Sequence, residues 1–149
     1  MSGYADEALS VLKAHGYRIT KPRQRVVNLL AETDNALSPY EIKEKLDAAG
    51  AHVDTVSIYR ILECLEENQL IHRVLTTGKV RRCDLEQEDH CALDQTDHCH
   101  HNLVCRACGN VQEVHCPGVE NLIAAVATQS GFRIEQHHLE FSGVCMKCA

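Results

Sequence analysis

Cys105-Arg-Ala-Cys108 and Cys145-Met-Lys-Cys148 form two CxxC knuckles with 36 residues between them. Four thiolates brought to one point bind Zn²⁺ tetrahedrally at about 2.3 Å, and a closed shell of four sulfurs is a structural site rather than a catalytic one. Gly109 directly follows the first knuckle, where a tight turn favours a residue without a Cβ. The competing reading, two unrelated redox or core cysteine pairs, leaves the repeated spacing unexplained.

The rest of the metal-suited chemistry is unevenly spread. Residues 83–149 hold eight of the nine cysteines and seven of the ten histidines. The charge divides at the same place, with 12 Lys/Arg against 11 Asp/Glu in residues 1–82 and 3 against 10 in residues 83–149. Such a split indicates two modules, of which only the first suits a polyanion without help from bound cations. The start, Met1-Ser-Gly-Tyr-Ala-Asp-Glu, has no basic stretch leading into an apolar one, and no apolar run reaches membrane-spanning length. A cytoplasmic protein with no membrane partner is therefore expected, and thiols in a reducing compartment are read as metal ligands rather than disulfides.

Local signals in the first module predict helices. Residues 5–15 place Ala8, Leu9 and Leu12 on one face before Gly16. Thr20 is a candidate N-cap with Pro22 in the first turn, followed by Val26, Val27, Leu29 and Leu30. Ser38-Pro39 starts a helix over residues 40–49, and Asp54 or Thr55 starts one whose apolar stripe is Ile58, Ile61, Leu62 and Leu65. Strands over 70–75 and 80–85 then flank Thr77-Gly78 as a hairpin.

Short helices followed by a hairpin indicate a winged helix-turn-helix. Its last helix would enter the major groove of double-stranded DNA, with Ser57, Tyr59 and Arg60 off the apolar stripe and free to touch bases and phosphates. Lys21 and Arg23, with Lys13, Arg18 and Arg25, would supply contacts to the DNA backbone. A solvated basic face on a small helical domain is the bland alternative.

The second module changes period. Strands over 101–105 and 111–116 flank the first knuckle, and Pro117 opens a helix with Val119, Leu122, Ile123 and Val126 in one stripe, ended by Gly131. A last strand over 133–144 leads into the second knuckle. The fold class expected is α+β: a winged helix-turn-helix domain over 1–85, a hinge over 86–97 and a small β-β-α-β domain over 98–149. An exposed strand edge in so small a unit suits pairing with a second copy, giving a homodimer.

Over essentially the whole chain the sequence resembles the ferric uptake regulator family of metal-responsive bacterial repressors. The stretches that carry the resemblance are Tyr17-Arg-Ile-Thr-Lys-Pro-Arg-Gln-Arg, Thr55-Val-Ser-Ile-Tyr-Arg-Ile-Leu, the histidine-rich run before Cys105, and the terminal knuckle. The resemblance implies a metal-dependent homodimer that binds A/T-rich palindromic operators. Iron- and manganese-sensing members have a histidine three residues before the first knuckle, where this chain has Asn102. The zinc-uptake-regulator branch is the better match, and its sensing site implies His72, Cys83, His98 and Glu113 as ligands of a regulatory zinc. With the structural zinc, that makes at least two Zn²⁺ per chain. A thiolate, two imidazoles and a carboxylate favour Zn²⁺ over the harder Mn²⁺ or Fe²⁺. The family's further site maps to Cys99, His101, Glu120 and His137, with Cys99 in place of a usual histidine.

The function expected is a zinc-responsive repressor of zinc-uptake genes, without catalytic residues or a small-molecule substrate. One alternative is a relative that senses iron, manganese or peroxide, which would use histidine and aspartate ligands. Another is a zinc enzyme, which would need three ligands, an open water position and a general base. No HExxH pattern is present.

Overall fold

The computed structural model describes residues 3–84, 100–115 and 118–149. The chain divides into two compact units, Met1–Asp84 and Leu85–Ala149. The 86–97 hinge, His98, Cys99 and Pro117 lie outside the described residues.

The first unit is built from helices whose starts are written in side-chain caps. After α1 (Gly3–Ala14), Thr20 accepts a hydrogen bond from the Arg23 N–H and opens α2 (Lys21–Glu32). Ser38 and Glu41 close a reciprocal capping box at the start of α3 (Pro39–Ala48), and Asp54 caps α4 (Thr55–Glu67). Their apolar stripes meet in one core in which Leu12, Val26, Leu30, Ile42, Ile58 and Leu65 are buried. An antiparallel hairpin follows, β1 (Ile71–Arg73) with β2 (Val80–Arg82). Leu37 adds an isolated antiparallel bridge to Val80, with both backbone hydrogen bonds at 2.8 Å. The hairpin strands are shorter than the sequence pattern suggested because the turn starts at Val74, whose carbonyl accepts from the Thr77 and Gly78 N–H groups.

The second unit is a three-stranded sheet in the order β4-β3-β5, with α5 (Val119–Ser130) connecting β4 to β5. β3 (His100–Cys105) is central, antiparallel to β4 (Val111–His115) and parallel to β5 (Glu140–Gly143). Gly118 is the N-cap of α5, and Gly131 ends it in the left-handed conformation at φ 71°. The strand expected over 133–144 is confined to Glu140–Gly143. A strand extends only as far as its ladder, and β3 offers this edge Asn102 to Cys105. Fold class is thus α+β, with a winged helix-turn-helix unit ahead of a β-β-α-β unit.

The two units differ sharply in core. In the second, Val104, Cys105, Val111 and Val119 are the buried apolar residues among those described. Leu122, Val126, Phe132 and Phe141 are exposed there. The α5 stripe of Val119, Leu122, Ile123 and Val126 is therefore mostly uncovered, with Leu122 56% exposed.

Candidate metal sites and nucleic-acid interface

The sheet register explains how two knuckles distant in sequence meet. Parallel pairing sets Cys105 beside Gly143, so Cys145 emerges two residues later at the same end of the sheet. Each knuckle is a hydrogen-bonded turn: the Gly109 N–H donates to the Cys105 carbonyl at 2.8 Å, and the Cys148 and Ala149 N–H groups donate to the Cys145 carbonyl at 2.9 Å. Gly109 has φ 74°, the left-handed backbone for which a glycine was expected.

Cys105, Cys108, Cys145 and Cys148 place their four sulfurs within 4.8 Å of one another. The Cys108 and Cys145 sulfurs are 3.8 Å apart. A tetrahedron with metal–sulfur bonds of about 2.3 Å has sulfur–sulfur edges of about 3.8 Å, so this group fits a zinc ion. The Cys145 N–H donates to the Cys105 sulfur at 3.3 Å. That hydrogen bond, with others from the first knuckle's backbone, holds the Cys105 thiol down at about 6. Hydrogen bonding with the Cys145 and Cys108 thiols pushes Cys148 up to about 12. Sulfurs this close resist ionising together unless a cation lies among them.

The hairpin of the first unit brings together a second pair. In its register His72 faces Arg81, and Cys83, two residues on, projects from the same face. The His72 ring nitrogen and the Cys83 sulfur lie within 4.8 Å of each other. The Cys83 N–H donates to the Leu70 carbonyl at 3.0 Å, prolonging the ladder by one step. Asp84, the next residue, accepts from both Arg81 and Arg82, and Arg82 also donates to Asp34 at 2.9 Å and to the Ala31 carbonyl. The sulfur therefore sits on a well-anchored strand end.

The remaining ligand candidates fall in the second unit. Glu113 is half-buried on β4, directly across from Asn102. His101 is buried on β3, and its ring centroid lies 5.3 Å from that of His137. Glu120 occupies the first turn of α5.

On α4, Tyr59 and Arg60 are exposed, while Ser57 donates its hydroxyl to the capping Asp54. Lys21 is exposed at the start of α2. Arg23 is half-buried, donating to the Arg18 carbonyl and lying 5.6 Å from the Tyr17 ring centroid. Val56, 60% exposed in the first turn of α4, and Tyr40 near the start of α3 are also exposed. Neither belongs to the buried apolar stripe of its helix.

The model of the ferric uptake regulator family matches residues 14–142. The chain belongs to the ferric uptake regulator family. It is 32% identical over 142 residues to the ferric uptake regulation protein of Neisseria meningitidis, covering 94% of this chain and 92% of that one. It is 28% identical over 143 residues to the zinc uptake regulation protein of Escherichia coli, covering 95% and 79%. A solved structure described as a zinc uptake regulator complexed with zinc and DNA superposes with a TM-score of 0.80 at 27% identity, covering 96% of this chain and 91% of that one. Proteins of the ferric uptake regulator family are transcription regulators rather than enzymes. The chain is accordingly a metal-responsive transcriptional regulator that binds DNA. Among the described residues, no helix is long and apolar enough to cross a membrane.

Proposed function

We propose that this regulator senses zinc and that its zinc-loaded homodimer represses zinc-uptake genes from A/T-rich palindromic operators. The observation that supports the reading is that the Cys83 sulfur lies within 4.8 Å of the His72 ring nitrogen on one face of the hairpin. Thiolate and imidazole together select zinc over manganese and ferrous iron by softness. His98 and Glu113 complete this regulatory set, so that its ligands come from both units. Sequence identity alone would not decide the metal, because relatives named for iron and for zinc match at 32% and 28%.

Cys105, Cys108, Cys145 and Cys148 hold a separate structural zinc, bringing the count to at least two ions per chain. Cys99, His101, Glu120 and His137 form the further metal set, supported by the proximity of the two imidazoles. Dimerisation through the second unit accounts for its sparse core and its exposed apolar residues, which a second copy would cover. Ser57, Tyr59 and Arg60 touch DNA bases and phosphates, with Lys21 and Arg23 on the phosphate backbone, and the protein works in the cytoplasm.

The test is a titration of operator binding against buffered free Zn²⁺, Mn²⁺ and Fe²⁺. Zinc should saturate DNA binding at free concentrations far below those at which the other two act. Activation by Fe²⁺ or Mn²⁺ at equal or lower concentrations would replace this reading with an iron- or manganese-responsive one.

A further inference from the structure

The β1–β2 hairpin has two faces, and the zinc-sensing reading uses one of them. Register pairs Ile71 with Arg82 and Arg73 with Val80, so these four side chains share the face opposite to His72 and Cys83. Ile71 and Val80 are buried in the core of the first unit. Beside them, the Arg73 guanidinium donates to both carboxylate oxygens of Glu66, at 3.3 and 2.8 Å, and to the Gly78 carbonyl at 3.1 Å. Glu66 is in the last turn of α4, and Gly78 is in the hairpin turn. One planar group thus spans the DNA-facing helix and the tip of the wing.

The chain between α4 and β1 is equally constrained. Residues 68–70 close the helix with hydrogen bonds from the Gln69 N–H to the Glu66 carbonyl and from the Leu70 N–H to the Leu65 carbonyl, both 2.9 Å. The Leu70 carbonyl then receives the Cys83 N–H at 3.0 Å and the Tyr4 hydroxyl at 2.8 Å. Burial of Ile71 and Val80 seats the hairpin against the core. A two-pronged guanidinium–carboxylate contact adds a directional constraint between the hairpin and α4.

We infer that Arg73 is a positioning residue that makes the hairpin and α4 turn as one body, so that metal capture on one face is delivered to the DNA-facing helix through the other. This rests on the reading of His72 and Cys83 as ligands of the regulatory zinc. The Arg73 and Glu66 side chains are 37% and 39% exposed, and ion pairs that accessible add little to stability. Removing the contact should leave the fold intact and weaken the coupling between metal and DNA.

The experiment compares wild type with Arg73→Met, Glu66→Gln, the double variant and Arg73→Lys, using the full chain and an operator duplex selected with the wild-type protein. Zinc affinity without DNA is measured by chelator competition, operator affinity with and without zinc by fluorescence anisotropy, and folding by thermal melting. Arg73→Met and Glu66→Gln should each keep zinc affinity and melting temperature close to wild type, yet lose about tenfold of the zinc-dependent gain in operator affinity. The double variant should be no worse than Arg73→Met, since that change already removes every bond between the two side chains. Arg73→Lys should resemble Arg73→Met, because a lysine keeps the charge and loses the fork. An unchanged zinc-dependent gain in both single variants would overturn the inference, as would additive losses in the double. A wild-type protein with no zinc-dependent gain would instead overturn the zinc-sensing reading, and the role of Arg73 with it.

Discussion

Asn102 and Glu113 stand directly opposite each other in the antiparallel β3–β4 pair. Residues so paired have Cβ atoms about 4.5–5.5 Å apart on one face of the sheet, so the side chain at 102 helps set what surrounds the Glu113 carboxylate. Asparagine is a poor ligand for zinc, whereas an imidazole there would add a nitrogen donor beside Glu113. Asn102→His should therefore widen the metal response, lowering the Mn²⁺ concentration needed for operator binding by about tenfold or more while the zinc response persists. Parallel titrations with buffered Mn²⁺ and Zn²⁺ would show it. An unmoved manganese threshold would disconnect position 102 from metal choice.

On the proposed reading of two zinc sites, the two cysteine classes should fail in different ways. Cys83→Ser removes the soft ligand from the hairpin face, and zinc affinity at the regulatory site should fall by at least 10–100-fold, taking zinc-dependent operator binding with it. The tightly held zinc and the fold of both units should remain. Cys108→Ser opens the four-sulfur shell of a unit whose described core is little more than Val104, Val111 and Val119 beside Cys105. Since metal affinity is folding free energy in small metal-pinned units, that variant should lose its chelator-resistant zinc and the ordered structure of the second unit together. Metal analysis after mild chelation, beside amide exchange, separates the two outcomes. Retention of tight zinc by Cys108→Ser would remove this cysteine from the structural site.

The features legible in the sequence were those that depend on neighbours along the chain. Thr20, Ser38 and Asp54 cap helices because a short polar side chain reaches the free N–H groups two or three residues on, and that relationship is visible in one dimension. Repeated CxxC spacing carried the four-cysteine group in the same way. What stayed hidden depends on pairing between distant segments. Arg73 could not be assigned to Glu66 before the hairpin register was known, nor Lys79 to Glu41, 38 residues away. The α5 stripe shows a further limit: periodicity reveals that a face asks to be covered without revealing whether this chain or another covers it, and Leu122 and Val126 are exposed.

Acid should loosen the first unit through Glu41. Its carboxylate accepts the Ser38 N–H at 2.7 Å and the Lys79 ammonium at 3.0 Å, tying the start of α3 to the hairpin. The Ser38 backbone hydrogen bond, aided by Lys79, holds the Glu41 carboxyl below its usual 4.5. The unfolded chain therefore takes up this proton more readily than the folded one. The contribution is complete above about pH 4.5 and is lost as pH falls through the lower folded-state value. Glu41→Gln should be less stable than wild type at neutral pH and show a shallower acid loss, read by thermal melts from pH 3 to 7. Ser38→Ala should cost about 0.5–2 kcal/mol at neutral pH as a lost N-cap. Parallel acid profiles for wild type and Glu41→Gln would assign the acid sensitivity to another carboxylate.

Gln69 offers the opposite opportunity. Among the described residues it is the non-glycine with positive φ, at 58°, and it occupies the turn where α4 ends and the chain passes to β1. Helices commonly end on glycine at this point because a Cβ is strained in the left-handed region, and the surrounding hydrogen bonds from Gln69 and Leu70 fix that backbone in place. The strain of a left-handed non-glycine residue, about 1 kcal/mol, is opposed by the extra freedom glycine gives the unfolded chain. Gln69→Gly should accordingly stabilise the first unit by about 0.5 kcal/mol, raising its melting temperature by a few degrees. Since the turn joins α4 to the strand that carries His72, zinc affinity and the zinc-dependent gain in operator binding are to be measured on the same variant. Greater stability with an undiminished gain would show that the strained turn serves neither function. Greater stability with a reduced gain would show that a stiff junction at residue 69 is part of the path from metal to DNA.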